Sequence, residues 1–236
     1  MKLGLLTDIH ERHDHLKAAL ERFRKEQVDQ VVVLGDVFRT GDALVETCRL
    51  LTEAGAIGVW GNHDWGLCVE PEAALRTRFP PESLAFMATL RPRLDIACCY
   101  VSHVEPWLNP EDVGDLWYLG GAPDSLDRLP RIFSAVPHRV IFAGHYHHWF
   151  AATEDEILDW HGEQPLQLRA NRRYFLVIGA LCEGRSATFE TDTSLLQPFQ
   201  DEFPSTDTHV ASADAVPTGR STFSGVRSAD LSSKRQ

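Results

Sequence analysis

The chain has 236 residues, a formal net charge of -11, 43% hydrophobic and 24% charged residues. This is enough for one substantial globular domain with a buried core. The negative balance argues against broad nucleic-acid binding, but cations held at a site can reverse the local field, so a phosphorylated substrate stays open.

In chain order, residues 3–6 form a short apolar run read as a buried strand. Leu16, Ala19, Leu20 and Phe23 lie at helical spacing and predict a helix over 15–28. Residues 31–34 are continuous and β-branched, as buried parallel strands are. A helix over 43–54 stops at Gly55, and 57–60 is the third strand. Residues 72–94 read as helix broken at Pro80-Pro81 and Pro92. Residues 96–101 read as one strand, 105–124 as a long loop, 126–136 as a short helix and 139–143 as a strand. Then 149–153, 156–160, 166–168, 174–178 and 187–190 read as consecutive short strands. From residue 201 the composition turns to Ser, Thr, Asp, Ala, Gly and Pro, which predicts a domain over 1–200 and a disordered tail over 201–236.

No apolar run approaches the roughly 18 residues of a membrane helix, and the early charges do not read as a signal peptide. Cys48, Cys68, Cys98, Cys99 and Cys182 lack metal-type spacing and read as small buried hydrophobes in a reducing cytoplasm. His13, His15, His138, His161 and His209 read as solvated.

The polar motifs carry more information than the elements. Asp8, Asp36, Asn62, His103 and His145 each follow a predicted strand. In an open α/β sheet the carboxyl ends of strands share one edge, where ligands bind. Asp8 and His10, like His145 and His147, are two apart and would point the same way on an extended segment. Gly35, Gly61 and Gly144 would let the backbone turn beside the ligands. Asp36 is the natural carboxylate bridge between two divalent ions, one oxygen to each. Mixed carboxylate, imidazole and amide donors suit Mn, Fe, Zn or Ni better than Ca or Mg. Such ions polarise a phosphoryl group and lower the pKa of a bridging water, giving hydroxide as nucleophile. His63 would then protonate the leaving oxygen, with Asp64 orienting its imidazole.

With these motifs the chain resembles a calcineurin-like metallophosphoesterase, nearest to the small, prokaryotic-type phosphodiesterase-like branch. Asp8-Ile9-His10, Gly35-Asp36, Gly61-Asn62-His63-Asp64, His103 and Gly144-His145-Tyr146-His147 match the family's motifs in order, over about residues 1 to 195. The resemblance implies an α/β fold of two facing mixed β-sheets sandwiched between helices. It implies that Asp8, His10, Asp36 and His147 hold one metal and Asp36, Asn62, His103 and His145 the other, with Asn62 and His63 at the substrate phosphate. Two positions depart from the pattern. His103 is followed by Val104-Glu105-Pro106 where the family has Gly, and Ile178-Gly179-Ala180-Leu181 stands where the branch often has Asn-x-Gly-Ser.

Arg39, three residues past the bridge, is a candidate phosphate contact or a surface ion-pair partner. Trp107, Trp117 and Tyr118 either pack the long loop onto the domain or form an aromatic lid that stacks a nucleobase. The expected partner is a small phosphorylated substrate or a phosphoprotein, with no membrane and no broad nucleic-acid binding. The rival function is a non-enzymatic scaffold on the same fold, which would have lost the acid or a ligand. A structural zinc module would need a closed four-ligand site, usually rich in cysteine.

Overall fold

The first two apolar runs lack a polar face because both their faces are buried. In the computed structural model, which describes residues 1–203 apart from 70, 72, 119, 121, 122 and 124, they are parallel neighbours, β1 (Lys2–Leu6) and β2 (Gln30–Leu34). β3 (Ile57–Val59) continues the parallel set. The other edge of β1 pairs antiparallel with β10 (Arg185–Glu190), β10 with β11 (Leu195–Gln200), and the start of β11 with β8 (Leu166–Gln167). This sheet runs β3-β2-β1-β10-β11-β8.

The second sheet contains β4 (Leu94–Ile96), β5 (Cys99–Val101), β6 (Val140–Ala143), β9 (Tyr174–Val177) and β7 (Phe150–Ala152), in the order β4-β5-β6-β9-β7. β5, β6 and β9 are parallel.

Alternate side chains of each strand serve different layers. Leu3, Leu5, Val32, Leu34 and Val59 meet Val101, Val140, Phe142 and Leu176 between the sheets. The outward Leu6, Val31 and Val33 are covered by Leu16, Ala19 and Phe23 of α1 (His13–Lys25) and by Leu51 of α2 (Leu44–Glu53). On the far side, Leu129, Ile132 and Phe133 of α7 (Leu129–Ala135) cover Tyr100, Ile141, Phe175 and Val177. The result is the expected two mixed sheets between helices. No helix among the described residues is long and apolar enough to cross a membrane.

Within the helical stretch expected over 72–94 the break falls at Pro80-Pro81 as expected, while the helix preceding it at 65–68 was not expected. Short helices α3 (Trp65–Cys68), α4 (Ala73–Arg78) and α5 (Pro81–Met87) follow one another, with Pro81 at the start of α5. The 105–124 stretch contains one short helix, α6 (Val113–Leu116), whose first turn is capped by Asp112.

Other expectations are revised. The single strand at 96–101 is instead split into β4 and β5 by a turn in which Ala97 and Cys98 have positive φ, 47° and 66°. Neither residue is a usual turn former, so the pattern carried no break. The strands after residue 149 alternate between the two sheets, and 156–160 contributes only an isolated Ala152–Ile157 bridge. β11 was not among the expected strands, and it contains Pro198. Beyond Leu196 it pairs only with β10, leaving an edge where a missing N–H is tolerated. His15 is buried, with its ring stacked 3.6 Å from that of Phe203. Most of the expected tail, residues 204–236, lies outside the described residues.

Phe142 is fully buried between the sheets. Phe142→Ala should destabilise the fold by about 3–5 kcal/mol, read as a lowered urea midpoint with an unchanged slope.

Candidate metal centre

Asp8, Asp36 and Asn62 lie just beyond β1, β2 and β3, and His103 and His145 just beyond β5 and β6. The carboxyl ends of both sheets therefore supply one site. The loops are stitched together by the backbone: the amides of Asp8 and His10 donate to the carbonyls of Gly35 and Asp36, and that of Gly144 to His103, each at 3.0 Å.

Two donor sets result. In the first, His147 Nε2 lies 3.2 Å from Asp8 Oδ1 and 3.3 Å from His10 Nε2, and His10 Nε2 lies 3.8 Å from Asp36 Oδ2. In the second, Asn62 Oδ1 lies 3.0 Å from His103 Nε2 and 3.1 Å from His145 Nδ1, and His103 Nε2 lies 3.5 Å from Asp36 Oδ2. Asp36 Oδ2 belongs to both. His145 and His147 thus serve opposite sets.

The two carboxylates divide their oxygens. Asp36 Oδ1 accepts the His63 amide at 3.0 Å, so one oxygen, Oδ2, rather than two, faces both histidine sets. Asp8 Oδ2 accepts the Thr7 hydroxyl at 2.7 Å and the His145 amide at 3.1 Å. Asp8 Oδ1 is buried and accepts no hydrogen bond of good geometry among the described residues, its neighbour being His147 Nε2 at 3.2 Å. An orphaned, charged oxygen facing imidazoles is costly unless a cation meets it. The mixed oxygen and imidazole set fits divalent transition ions.

Backbone conformation also differs from the extended segments expected. Asp8, His10, Asp36, His145 and His147 all have positive φ, between 45° and 72°. Side chains two apart are aimed by left-handed turns, not by strand alternation. Of the three motif glycines only Gly35 has positive φ, 99°. At Gly61 and Gly144 the requirement is space: a Cβ would lie 2.1 Å from Asp36 Oδ1 and 1.9 Å from Thr7 Oγ1.

The electrostatics follow from burial of two carboxylates. Burial pushes the Asp36 carboxyl up, but His103, His10 and His63 hold it below the usual carboxylate range. Burial pushes His103 down, yet the Asp36 and Asp8 charges lift it to about 9. Contacts with Asp8 and Cys182 lift His147 to about 11. Burial and the His103 charge push His145 down to about 4. The field of the site is negative and draws in positive charge.

His63 is half-buried, its ring 4.9 Å from that of His10. Among the described residues no hydrogen bond occupies its ring nitrogens. Asp64, expected beside that imidazole, accepts backbone amides instead: Phe38 and Gly61 at 2.9 Å and Val37 at 3.3 Å. Burial and the Asp36 charge push its carboxyl up to about 7. Arg39 is exposed, and its guanidinium makes no ion pair among the described residues.

Three residues not singled out from the sequence matter here. Buried Glu11 accepts the amides of Arg39 at 2.9 Å, Gly41 at 2.6 Å and Ala43 at 3.0 Å, pinning the loop after Asp36. Buried Glu105 accepts the hydroxyl of Tyr146, between the paired histidines, at 2.6 Å. Cys182 Sγ lies 3.9 Å from His147 Nδ1, so this cysteine is not the inert hydrophobe expected. Glu11 adjoins the first motif and Glu105 lies two residues after His103, which are the local signals; Cys182 is brought in by long-range folding.

Residues 1–190 match the calcineurin-like phosphoesterase superfamily domain. A metallophosphoesterase from Sphaerobacter thermophilus is similar in structure, with TM-score 0.70, 22% identity, and coverage of 86% of this chain and 89% of that one. A protein provisionally assigned as a diadenosine tetraphosphatase aligns with TM-score 0.53 and 18% identity, over 85% of this chain and 95% of that one. No curated protein matches the chain at a significant level.

Glu11→Gln replaces one acceptor oxygen with a donor facing backbone N–H groups. It should cost about 1.5–3 kcal/mol of stability, measured by urea denaturation, and speed amide hydrogen exchange over residues 39–43.

Proposed function

The chain belongs to the calcineurin-like phosphoesterase superfamily, and from that premise we propose that it hydrolyses phosphoester bonds with two divalent transition ions. Members of the family typically bind divalent metals. The observation that carries the two-ion reading is Asp36 Oδ2, shared between His10 at 3.8 Å and His103 at 3.5 Å. Asp8, His10, Asp36 and His147 would hold one ion, and Asp36, Asn62, His103 and His145 the other. Mn, Fe, Zn and Ni are the candidates by donor type.

Such a pair supplies Lewis acidity toward the phosphoryl group and a hydroxide nucleophile near neutral pH. The protein's own residues do the rest. Asn62 and His63 meet the substrate phosphate. His63, whose ring nitrogens are uncommitted, donates a proton to the leaving oxygen. Asp64 holds the loops that carry Asp36 and Asn62. Exposed Arg39 adds a cation toward the phosphate. The substrate is a small phosphorylated molecule or a phosphoprotein. The unpaired cysteines favour a reducing cytoplasm as the site of action.

A panel of phosphomonoesters and diesters assayed with Mn, Ni, Fe, Zn and Mg in turn tests this reading. Activity with none of them would favour the scaffold. His63→Ala should lower the rate on an unactivated ester by about 10²–10⁴-fold with metal content retained, and much less on a nitrophenyl ester. Asp36→Asn should lower the metal content from about two ions per chain toward one or none, read by elemental analysis of the purified protein.

A further inference from the structure

The segment His103-Val104-Glu105-Pro106-Trp107 departs from the family pattern, and in the fold it anchors the loop beside the site. Glu105 is fully buried. It accepts Tyr146 Oη and Trp107 Nε1, each at 2.6 Å, and pairs with Arg128. Arg131 lies 3.8 Å over the Trp107 ring, and Trp107 meets Tyr118 edge-on with centroids 5.3 Å apart. The Tyr118 carbonyl lies 3.3 Å from His145 Nε2. Trp107 and Tyr118 are packed against the core.

Trp117 is held differently. Its side chain stays 46% exposed, yet its ring centroid is 5.1 Å from that of His63. A large apolar ring is thus presented to solvent beside the residue assigned to the leaving group, on a backbone fixed through Tyr118 and Glu105. Packing accounts for its neighbours but not for it.

We propose that Trp117 is the leaving-group wall of the site and selects phosphate esters of planar aromatic groups, nucleosides or aryl alcohols, over esters of aliphatic alcohols. The proposal rests on the hydrolytic reading above, which places the leaving oxygen at His63. An indole face stacks any flat ring regardless of its hydrogen-bonding edge, so the selection is for planarity. Because Trp117 is solvent-facing, a ring can stack on it without displacing the core.

The test uses the metal-loaded full chain, its Trp117→Ala and Trp117→Phe variants, and three substrates: adenosine 5′-monophosphate, phenyl phosphate and glycerol phosphate. Comparing variant with parent on each substrate cancels the intrinsic reactivity of the leaving group. Trp117→Ala should raise KM about 10-fold for the aromatic esters and leave glycerol phosphate within about 2-fold, with Trp117→Phe restoring most of the loss. An effect on only one aromatic ester supports the wall and identifies its source as nucleoside or aryl. Equal losses on all three, or none on any, overturn it. Calorimetric titration with adenosine 5′-monophosphate and with inorganic phosphate provides a second readout. If the parent hydrolyses no ester, the hydrolytic reading fails. The wall is then decided by binding: about 10-fold weakening confined to the nucleotide supports it, and equal or no weakening of both overturns it.

Discussion

Two buried carboxylates, Asp8 and Asp36, each tie a loop with one oxygen and face a cluster of imidazoles with the other. Asp8 receives the His145 amide and so fastens the first sheet's edge to the second sheet's. Asp36 receives the His63 amide and fastens β2's loop to β3's. Removing either would loosen the loops and the donor sets together, because the same side chain does both jobs. The glycines fit this arrangement: Gly61 and Gly144 leave room where those carboxylates and Thr7 press against the neighbouring backbone.

The arrangement is strained and must be braced. Five proposed ligand residues sit in left-handed backbone, on the order of 1 kcal/mol each. Three other buried carboxylates, Glu11, Asp64 and Glu105, stand behind them. Each spends its lone pairs on backbone amides, a tyrosine hydroxyl or an indole N–H. Charge-assisted bonds of this kind contribute about 1.5–3 kcal/mol, enough to hold a strained turn. Such braces hold the loops that carry the donors.

The two solved structures compared above share 22% and 18% identity with this chain, which establishes a common fold and leaves substrate choice to local features. Among these, the loop between β5 and α7 holds one of the two departures from the family pattern. There Val104 follows His103 where the family has glycine, Glu105 is buried next to it, and Trp117 stands beside His63. On the proposed reading, chemistry and selectivity fall to different parts of the chain: strand ends for the first, this loop for the second.

The sequence alone determined the strand-end placement of Asp8, Asp36, Asn62, His103 and His145, because strand periodicity is a local property, and the family resemblance of those motifs implied the layered sheets. It could not show that 96–101 breaks into a hairpin, that the late strands alternate between sheets, or that β11 tolerates Pro198. The last two outcomes depend on pairing partners far along the chain, and the hairpin turns on Ala97 and Cys98 adopting positive φ. It also could not assign Asp64 to backbone amides instead of the His63 ring, or bring Glu105 and Cys182 to the centre. Which carboxylate oxygen is left free, and which tryptophan is left exposed, follows from neighbours contributed by both sheets, and only tertiary packing decides that.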